Sequence, residues 1–404
     1  MTVDRFPEPK LKSPDALDTL LRERVAKRDL PAIFLGATNA DETIYLNQAG
    51  ERVFGNAAAG EVNEDTLTSV ACLQLVDQGL ATLDDPALIR KHLPELDGIP
   101  ILEGYEDGKP VLVPSTNPVT LRNLLSHTFG SILPIISPLM TRYFEDAGCH
   151  NLFAPGTKVS DMVTPLVFNP GEGWSYGYCI DWAGVLVERI SGLRLDEYFE
   201  RNIWAPLGIK HMECFPTDEV KAKKMWVCIR NEAGEPQVMP TGFGLGRAER
   251  PEDVGVVLGG GALYGSQKEY LAFLRGILRS DPRYQGSGHA LLSPKSYAEL
   301  FTPSVAPDHP GMPTLVGMVN GWIPFEPATE HTLSHSVGFA LSLADKPGRR
   351  RAGSGFWGGA CKTNYWIDPA TGLAGVAGTS LRNGQDPWER FNIEFERVLY
   401  ASLA

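Results

Sequence analysis

The residues able to do chemistry are scattered along this chain, so each candidate is judged by its spacing. A serine with a lysine three residues later presents both on one helical face, where a neutral amine can take the hydroxyl proton. No serine here has that partner: Ser69 is followed by Val-Ala-Cys, Ser126 by His-Thr-Phe and Ser293 by Pro-Lys-Ser. Ser266-Gln267-Lys268 and Ser293-Pro294-Lys295 are spaced i, i+2 and do not share a helical face. His331 and His335 have the i, i+4 spacing that lets two imidazoles bind a metal from one helix. Their context, EHTLSHSVGFALSL, reads instead as loop running into strand, and no third ligand is near. Gly259-Gly260-Gly261 and GFGLG (242–246) lack the lysine of a phosphate-binding loop. Cys72 and Cys179 have no histidine at readable spacing, which disfavours a thiol nucleophile. What remains is acid–base equipment. Asn63-Glu64-Asp65 stands at a helix start, where asparagine caps and acids complement the dipole. Trp174-Ser175-Tyr176-Gly177-Tyr178 offers a phenol on a glycine-bearing loop.

Elements must position these groups. Ser13-Pro14 opens an amphipathic helix over DALDTLLRERVAKRD, with Ser13 expected at the cap. AIFLGAT and TIYLNQAG read as a hairpin turning at Asn39-Ala40-Asp41-Glu42. Asp65 to Gly79 reads as a mostly buried helix stopped by glycine. A middle region rich in proline and loops carries two further helices, IDWAGVLVERISG and LDEYFERNIWAPLG. VGFALSLAD, GFWGG, CKTNYWIDP and LAGVAGTS are short runs split by turn residues, the pattern of an antiparallel sheet. Asp386-Pro387 then starts a last helix, WERFNIEFERVLYASL. A sheet assembled from both ends of the chain, with a helical insertion, accounts for this order. We expect an α/β (α+β) fold in one unit over 1–404, its sheet part at roughly 1–70 and 255–404 and its mainly helical part at roughly 71–254.

Composition bounds the function. The 404 residues carry 37 Lys+Arg against 49 Asp+Glu, a net charge of −12, so no basic field exists to displace phosphate counterions and nucleic acid is not an expected partner. The runs Lys221–Lys224 and Arg349–Arg351 are expected to be solvated charge. Apolar residues are 43% and charged residues 21%, which excludes a disordered chain. No stretch approaches the roughly 20 apolar residues that span a bilayer. MTVDRFPEPKLKSPD has no apolar core of the secretory kind, and the six cysteines show no C-x-x-C pair, so a cytoplasmic protein with reduced thiols is expected. No cofactor is implied, and the oligomeric state is left open.

Five segments together carry a family resemblance: LQLVDQGLATLDDP (73–86), VTLRNLLSHTFG (119–130), NPGEGWSYGYCIDWAGVLVERISG (169–192), LGGGALYGSQKEYLAFL (258–274) and GFWGGACKTNYWIDPATGLAG (355–375). In order and spacing the chain resembles the serine β-lactamase and penicillin-binding-protein superfamily, especially its esterase branch and fungal transesterases of the statin-acyltransferase type. The resemblance implies a β-lactamase/transpeptidase-like fold, an antiparallel sheet with flanking helices. It also implies three site elements: S-x-x-K opening a helix, a tyrosine motif on a middle loop, and a strand whose backbone helps hold the oxyanion. Tyr176 matches the tyrosine motif, with Tyr178 at its third position where asparagine is common. Trp357-Gly358-Gly359 matches the oxyanion strand. His127, within another matching segment, is expected to be a structural hydrogen-bonding residue. Counting back from LQLVDQG places Val62 at the serine position and Asp65 at the lysine position.

Valine cannot form an acyl-enzyme. Asp65 would raise the pKa of Tyr176 if the two are close, which suits the phenol to donate a proton and the carboxylate to accept one. The expected site is therefore Tyr176 and Asp65 as catalytic groups, with Val62, Glu64, Tyr178, Trp357, Gly358 and Gly359 lining a small-molecule cleft. The first reading is a natural-product tailoring enzyme of secondary metabolism doing acid–base chemistry such as isomerisation, dehydration or cyclisation. The alternatives are a binding protein without catalysis, and an esterase or acyltransferase using Asp65, a cysteine or an activated water.

Overall fold

The computed structural model describes residues 5–50, 65–149, 156–223, 225, 227–239, 250–261, 263–322, 327–360, 362–382 and 387–404, with the side chains of residues 65, 223 and 322 outside that description. Val62, Glu64, Asp386, GFGLG (242–246) and Cys361 lie outside the described residues.

Seven strands form one sheet: β1 (Ala32–Thr38), β2 (Thr43–Gly50), β3 (Leu333–His335), β4 (Ala340–Ser342), β5 (Ser354–Gly358), β6 (Thr363–Asp368) and β7 (Leu373–Thr379), in the order β2-β1-β7-β6-β5-β4-β3. Every pairing is antiparallel. The chain's two ends meet where Ile33 on β1 pairs with Thr379 on β7. Both strands are buried along their length because helices cover both faces, which is why AIFLGAT and LAGVAGT show no polar alternation. Small residues on β7 admit large neighbours: a Cβ on Gly378 would collide with the Phe34 ring.

The β1–β2 turn is an Asx turn, Asn39 Oδ1 accepting from the Asp41 N–H at 2.8 Å and the Glu42 N–H at 2.7 Å. Helix α1 (Asp15–Ala26) buries Leu17 and Leu21. Ser13, expected at the cap, sits one residue before it, with Pro14 at the cap and Ser13 Oγ accepting from the Asp15 N–H at 3.1 Å. Asp18 ties α1 to β2 by accepting from Tyr45 Oη at 3.0 Å and Asn47 Nδ2 at 2.8 Å.

Helix α2 (Asp65–Asp77) is followed by Gly79 at φ 72°, the left-handed stop that glycine allows. Helix α3 (Cys179–Ser191) lies beside it and ends at Gly192, also left-handed. Cys72 on α2 bonds through sulfur to the Ala183 carbonyl of α3. Helix α4 (Gln267–Leu278), capped by Ser266, packs on β1 and β7. Helix α5 (Trp388–Ala401) packs beside α1 and sends Phe395 against Tyr45 and Trp366. LDEYFERNIWAPLG differs from the expected single helix: Leu195–Phe199 and Ala205–Leu207 flank one π-helical turn at Glu200–Trp204.

The basic run at 349–351 also differs from expectation. The Arg349 and Arg350 side chains are fully buried, and both reach Glu396 Oε2 on α5, at 3.4 and 3.0 Å. Arg350 also lies over the Phe356 ring. A carboxylate 46 residues away in sequence gives these guanidiniums the compensation that burial demands.

Candidate active site

The tyrosine loop is clamped by the segment that precedes it in sequence. After the short helix Leu121–Leu125, capped by Thr120 and Asn123 in a reciprocal capping box, His127 turns the chain at φ 59°. Residues 127–133 then run alongside 175–178. The Ser175 N–H donates to the His127 carbonyl (3.0 Å), Ser175 Oγ to the Ser131 carbonyl (2.7 Å), the Leu133 N–H to the Tyr176 carbonyl (3.1 Å) and the Tyr178 N–H to Ser131 Oγ (3.2 Å). The approach requires Gly177: a Cβ there would stand 2.3 Å from the Ser131 carbonyl oxygen. This is the physical content of the W-S-Y-G-Y string.

The clamp delivers Tyr176 into a cluster of five rings drawn from four places in the chain. Tyr176 packs on His127 (centroids 4.9 Å apart) and on Trp357 of β5 (5.9 Å). His335, the last residue of β3, touches His127 (5.5 Å), Trp357 (5.5 Å) and Trp174 (5.9 Å). Trp174 closes the set against His127 at 5.8 Å. His127, His335, Trp174 and Trp357 are buried, while Tyr176 is half-buried.

Polar atoms inside this cluster are unusual. His127 Nδ1 and Trp174 Nε1 are buried without a hydrogen-bond partner among the described residues. The backbone of His127 does bond structurally, its carbonyl accepting from the Ser175 N–H, while its ring Nδ1 stays unpartnered among the described residues. His335 Nδ1 lies 2.6 Å from the Ser336 carbonyl. A carbonyl can only accept, so a neutral His335 carries its proton on Nδ1 and keeps a lone pair on Nε2. Burial holds both imidazoles neutral: it pushes His335 down to about 4, and His127 well below its ordinary value with help from the neighbouring His335.

Just past the end of β5, the Gly359 N–H donates to the Thr363 carbonyl of β6. Strand alternation turns the Gly358 N–H the other way, past the end of β4, whose pairing with β5 stops at Phe356. An amide so placed can hold a developing oxyanion.

The other expected site residues divide. Tyr178 begins α3 and is buried; its pKa is raised by burial and then by Asp181 and Cys149. Asp65 is the first residue of α2, and its neighbour Thr66 hydrogen-bonds Tyr365 Oη and reaches the Gly338 carbonyl at 3.3 Å. The head of α2 is thus pinned against the loop that follows His335. Cys72 and Cys179 are fully buried, and burial raises both thiols, Cys179 to about 12, so neither supplies a thiolate near neutrality. His331 is exposed while His335 is buried, so the pair does not share a face, and no three metal-ligating side chains converge among the described residues.

Sequence reasoning missed the five-ring cluster. It considered His335 only as a metal ligand and His127 only as structure, and Trp174 was noted simply as part of its motif. The available signal was the placement of His335 in a short apolar strand, where an uncompensated imidazole needs a reason.

A sheet of this order, with a clamped tyrosine facing a W-G-G strand, defines a β-lactamase-like protein. Residues 17–396 match the beta-lactamase family, and the chain belongs to it. It is similar to acyltransferase calJ of Penicillium decumbens, 33% identical over 88% of this chain and 84% of that one. It is similar to monacolin J acid methylbutanoyltransferase of Aspergillus terreus, 28% identical over 95% of both chains. It is also similar to lovastatin esterase of Penicillium rubens, 27% identical over 89% and 91%. Among solved structures, unliganded simvastatin synthase (LovD) from Aspergillus terreus superposes with a TM-score of 0.82, at 27% identity over 96% and 98% of the two chains. These relatives are named for moving or releasing acyl groups. That overturns the expectation of isomerisation, dehydration or cyclisation: the family context points to a transferase or hydrolase. No described helix is long and apolar enough to cross a membrane.

Proposed function

We propose that this protein transfers or hydrolyses an acyl group on a small-molecule ester of secondary metabolism, in the cleft between Tyr176 and Trp357-Gly358-Gly359. The observation that carries the reading is the meeting of Tyr176 with Trp357 at 5.9 Å, in a chain similar along nearly its whole length to acyltransferases and an esterase. Tyr176 Oη is a hydrogen-bond donor to the ester and the Gly358 N–H a donor to its carbonyl oxygen. Val62, Glu64, Asp65 and Tyr178 border the same cleft in this reading. Ile135, two residues beyond the Leu133 that bonds Tyr176, is 75% exposed and offers an apolar lip to a hydrophobic acyl chain. No serine has its lysine at i+3 and Val62 bears no nucleophile, so the acyl group passes directly to the acceptor, without an acyl-serine on an S-x-x-K motif. The free cysteines of the described residues accord with a cytoplasmic setting.

The test supplies p-nitrophenyl butyrate and a butyryl thioester, each with and without an acceptor alcohol. Release of acid, or formation of the new ester, above the protein-free rate is expected, with no acyl adduct in the intact mass. Binding of these esters with no turnover would sink the reading in favour of a non-catalytic binding protein.

A further inference from the structure

We infer that His335 is the general base of this site, its Nε2 taking the proton of the attacking water or alcohol within the cluster of His127, Trp174, Tyr176 and Trp357. The inference rests on the acyl-transfer reading and names the group that does the work of the missing serine–lysine pair.

Three observations support it independently of any titration. The Ser336 carbonyl, 2.6 Å from Nδ1, fixes the tautomer and the ring plane, leaving Nε2 as the lone pair. The ring meets Trp357, the first residue of the W-G-G motif, and His127, which meets Tyr176, so the base stands between the two elements that would hold the ester. His127 Nδ1 and Trp174 Nε1, on the two rings that flank it, are buried and unpartnered among the described residues. Buried polar atoms without partners are costly, and a substrate or water oxygen bound among these rings would satisfy them.

The step balances without a redox partner. The acceptor O–H bond breaks as its oxygen bonds to the ester carbonyl carbon, and the proton passes to Nε2. The tetrahedral oxyanion then collapses, the bond to the leaving oxygen or sulfur breaks, and the same proton passes to that atom. Burial keeps the resting imidazole neutral, which also makes it a weak base. The oxyanion forming beside it favours the imidazolium and restores basicity when it is needed.

His335→Asn is the informative change, because the asparagine amide can still donate to the Ser336 carbonyl but offers no proton acceptor. With p-nitrophenyl butyrate, kcat should fall about 100-fold with KM little changed. In parallel, long-range 1H–15N spectra of the labelled wild-type protein at pH 7 should show His335 with Nδ1 protonated and Nε2 bare. A variant with wild-type kcat, or a protonated Nε2, overturns the assignment and leaves acyl transfer standing. A wild-type protein without turnover overturns acyl transfer and this step with it. If His335→Asn does not fold, His335→Gln and the spectra of the wild-type protein carry the test.

Discussion

Acidification should destabilise this protein through one identifiable imidazole. Burial holds His335 at about 4 in the folded chain, against 6.5 when unfolded. Above pH 6.5 the ring is neutral in both states and costs nothing. As pH falls from 6.5 towards 4, the unfolded chain binds a proton that the folded protein refuses, so stability is lost throughout that window and levels off below it. At 1.36 kcal/mol for each pH unit of offset, the loss is about 3 kcal/mol by pH 4. His127 is depressed in the same direction and adds to the slope. The clean measurement is a difference. Urea unfolding of wild type and His335→Asn, followed by tryptophan fluorescence at pH 7 and pH 4, isolates this residue because other groups titrate in both proteins. Wild type should lose about 3 kcal/mol more than the variant between the two pH values. Parallel losses would show that His335 is protonated as readily in the fold as out of it, and would refute the burial argument.

Three further outcomes follow from the geometry. Glu396→Gln removes the carboxylate charge that the buried Arg349 and Arg350 guanidiniums share and should cost about 4 kcal/mol, visible in calorimetry; an unchanged melting temperature would contradict the buried ion cluster. Gly177→Ala places a methyl 2.3 Å from the Ser131 carbonyl and should cost about 2 kcal/mol while lowering ester turnover, because Tyr176 is displaced with the loop; an alanine variant of full activity and stability would disprove the clamp. Cys72 and Cys179 should resist iodoacetamide at pH 8 in the folded protein, since burial raises both thiols; rapid alkylation of Cys179, mapped by peptide mass, would show an accessible thiolate.

Much of the scaffold was legible locally. Asn39 announces the β1–β2 turn by its side-chain chemistry, and Gly79 and Gly192 mark helix ends by the left-handed backbone they permit. The four runs after residue 337 are strands of one antiparallel sheet because turn residues separate them. The tyrosine loop and the W-G-G strand were identified through family resemblance, and the fold brings them together. What was not legible is non-local. The solvation expected for Arg349–Arg351 fails for the first two because Glu396 waits on the last helix. EHTLSHSVGFALSL does run from loop into strand, since β3 begins between His331 and His335, but nothing in that text tells that only the second is buried in a ring cluster. His127 and His335 are more than 200 residues apart, and no spacing rule could have paired them. The choice of reaction was not in the residues at all. Acid–base groups without a serine nucleophile suit several chemistries, and similarity to acyltransferases and an esterase points to acyl transfer or hydrolysis among them.

The joining of β1 to β7 has a consequence during synthesis. Once made, β1 gains only β2 as a neighbour, and its other edge must wait for residue 379. At about 5–20 residues per second, the intervening roughly 350 residues take roughly 20–70 s to emerge. For that interval the apolar strand β1 stands with an unpaired edge, the kind of surface that recruits other strands. The nascent chain therefore needs shielding for most of its time on the ribosome, and yield on expression should depend on chaperone supply more than on the final stability of the fold.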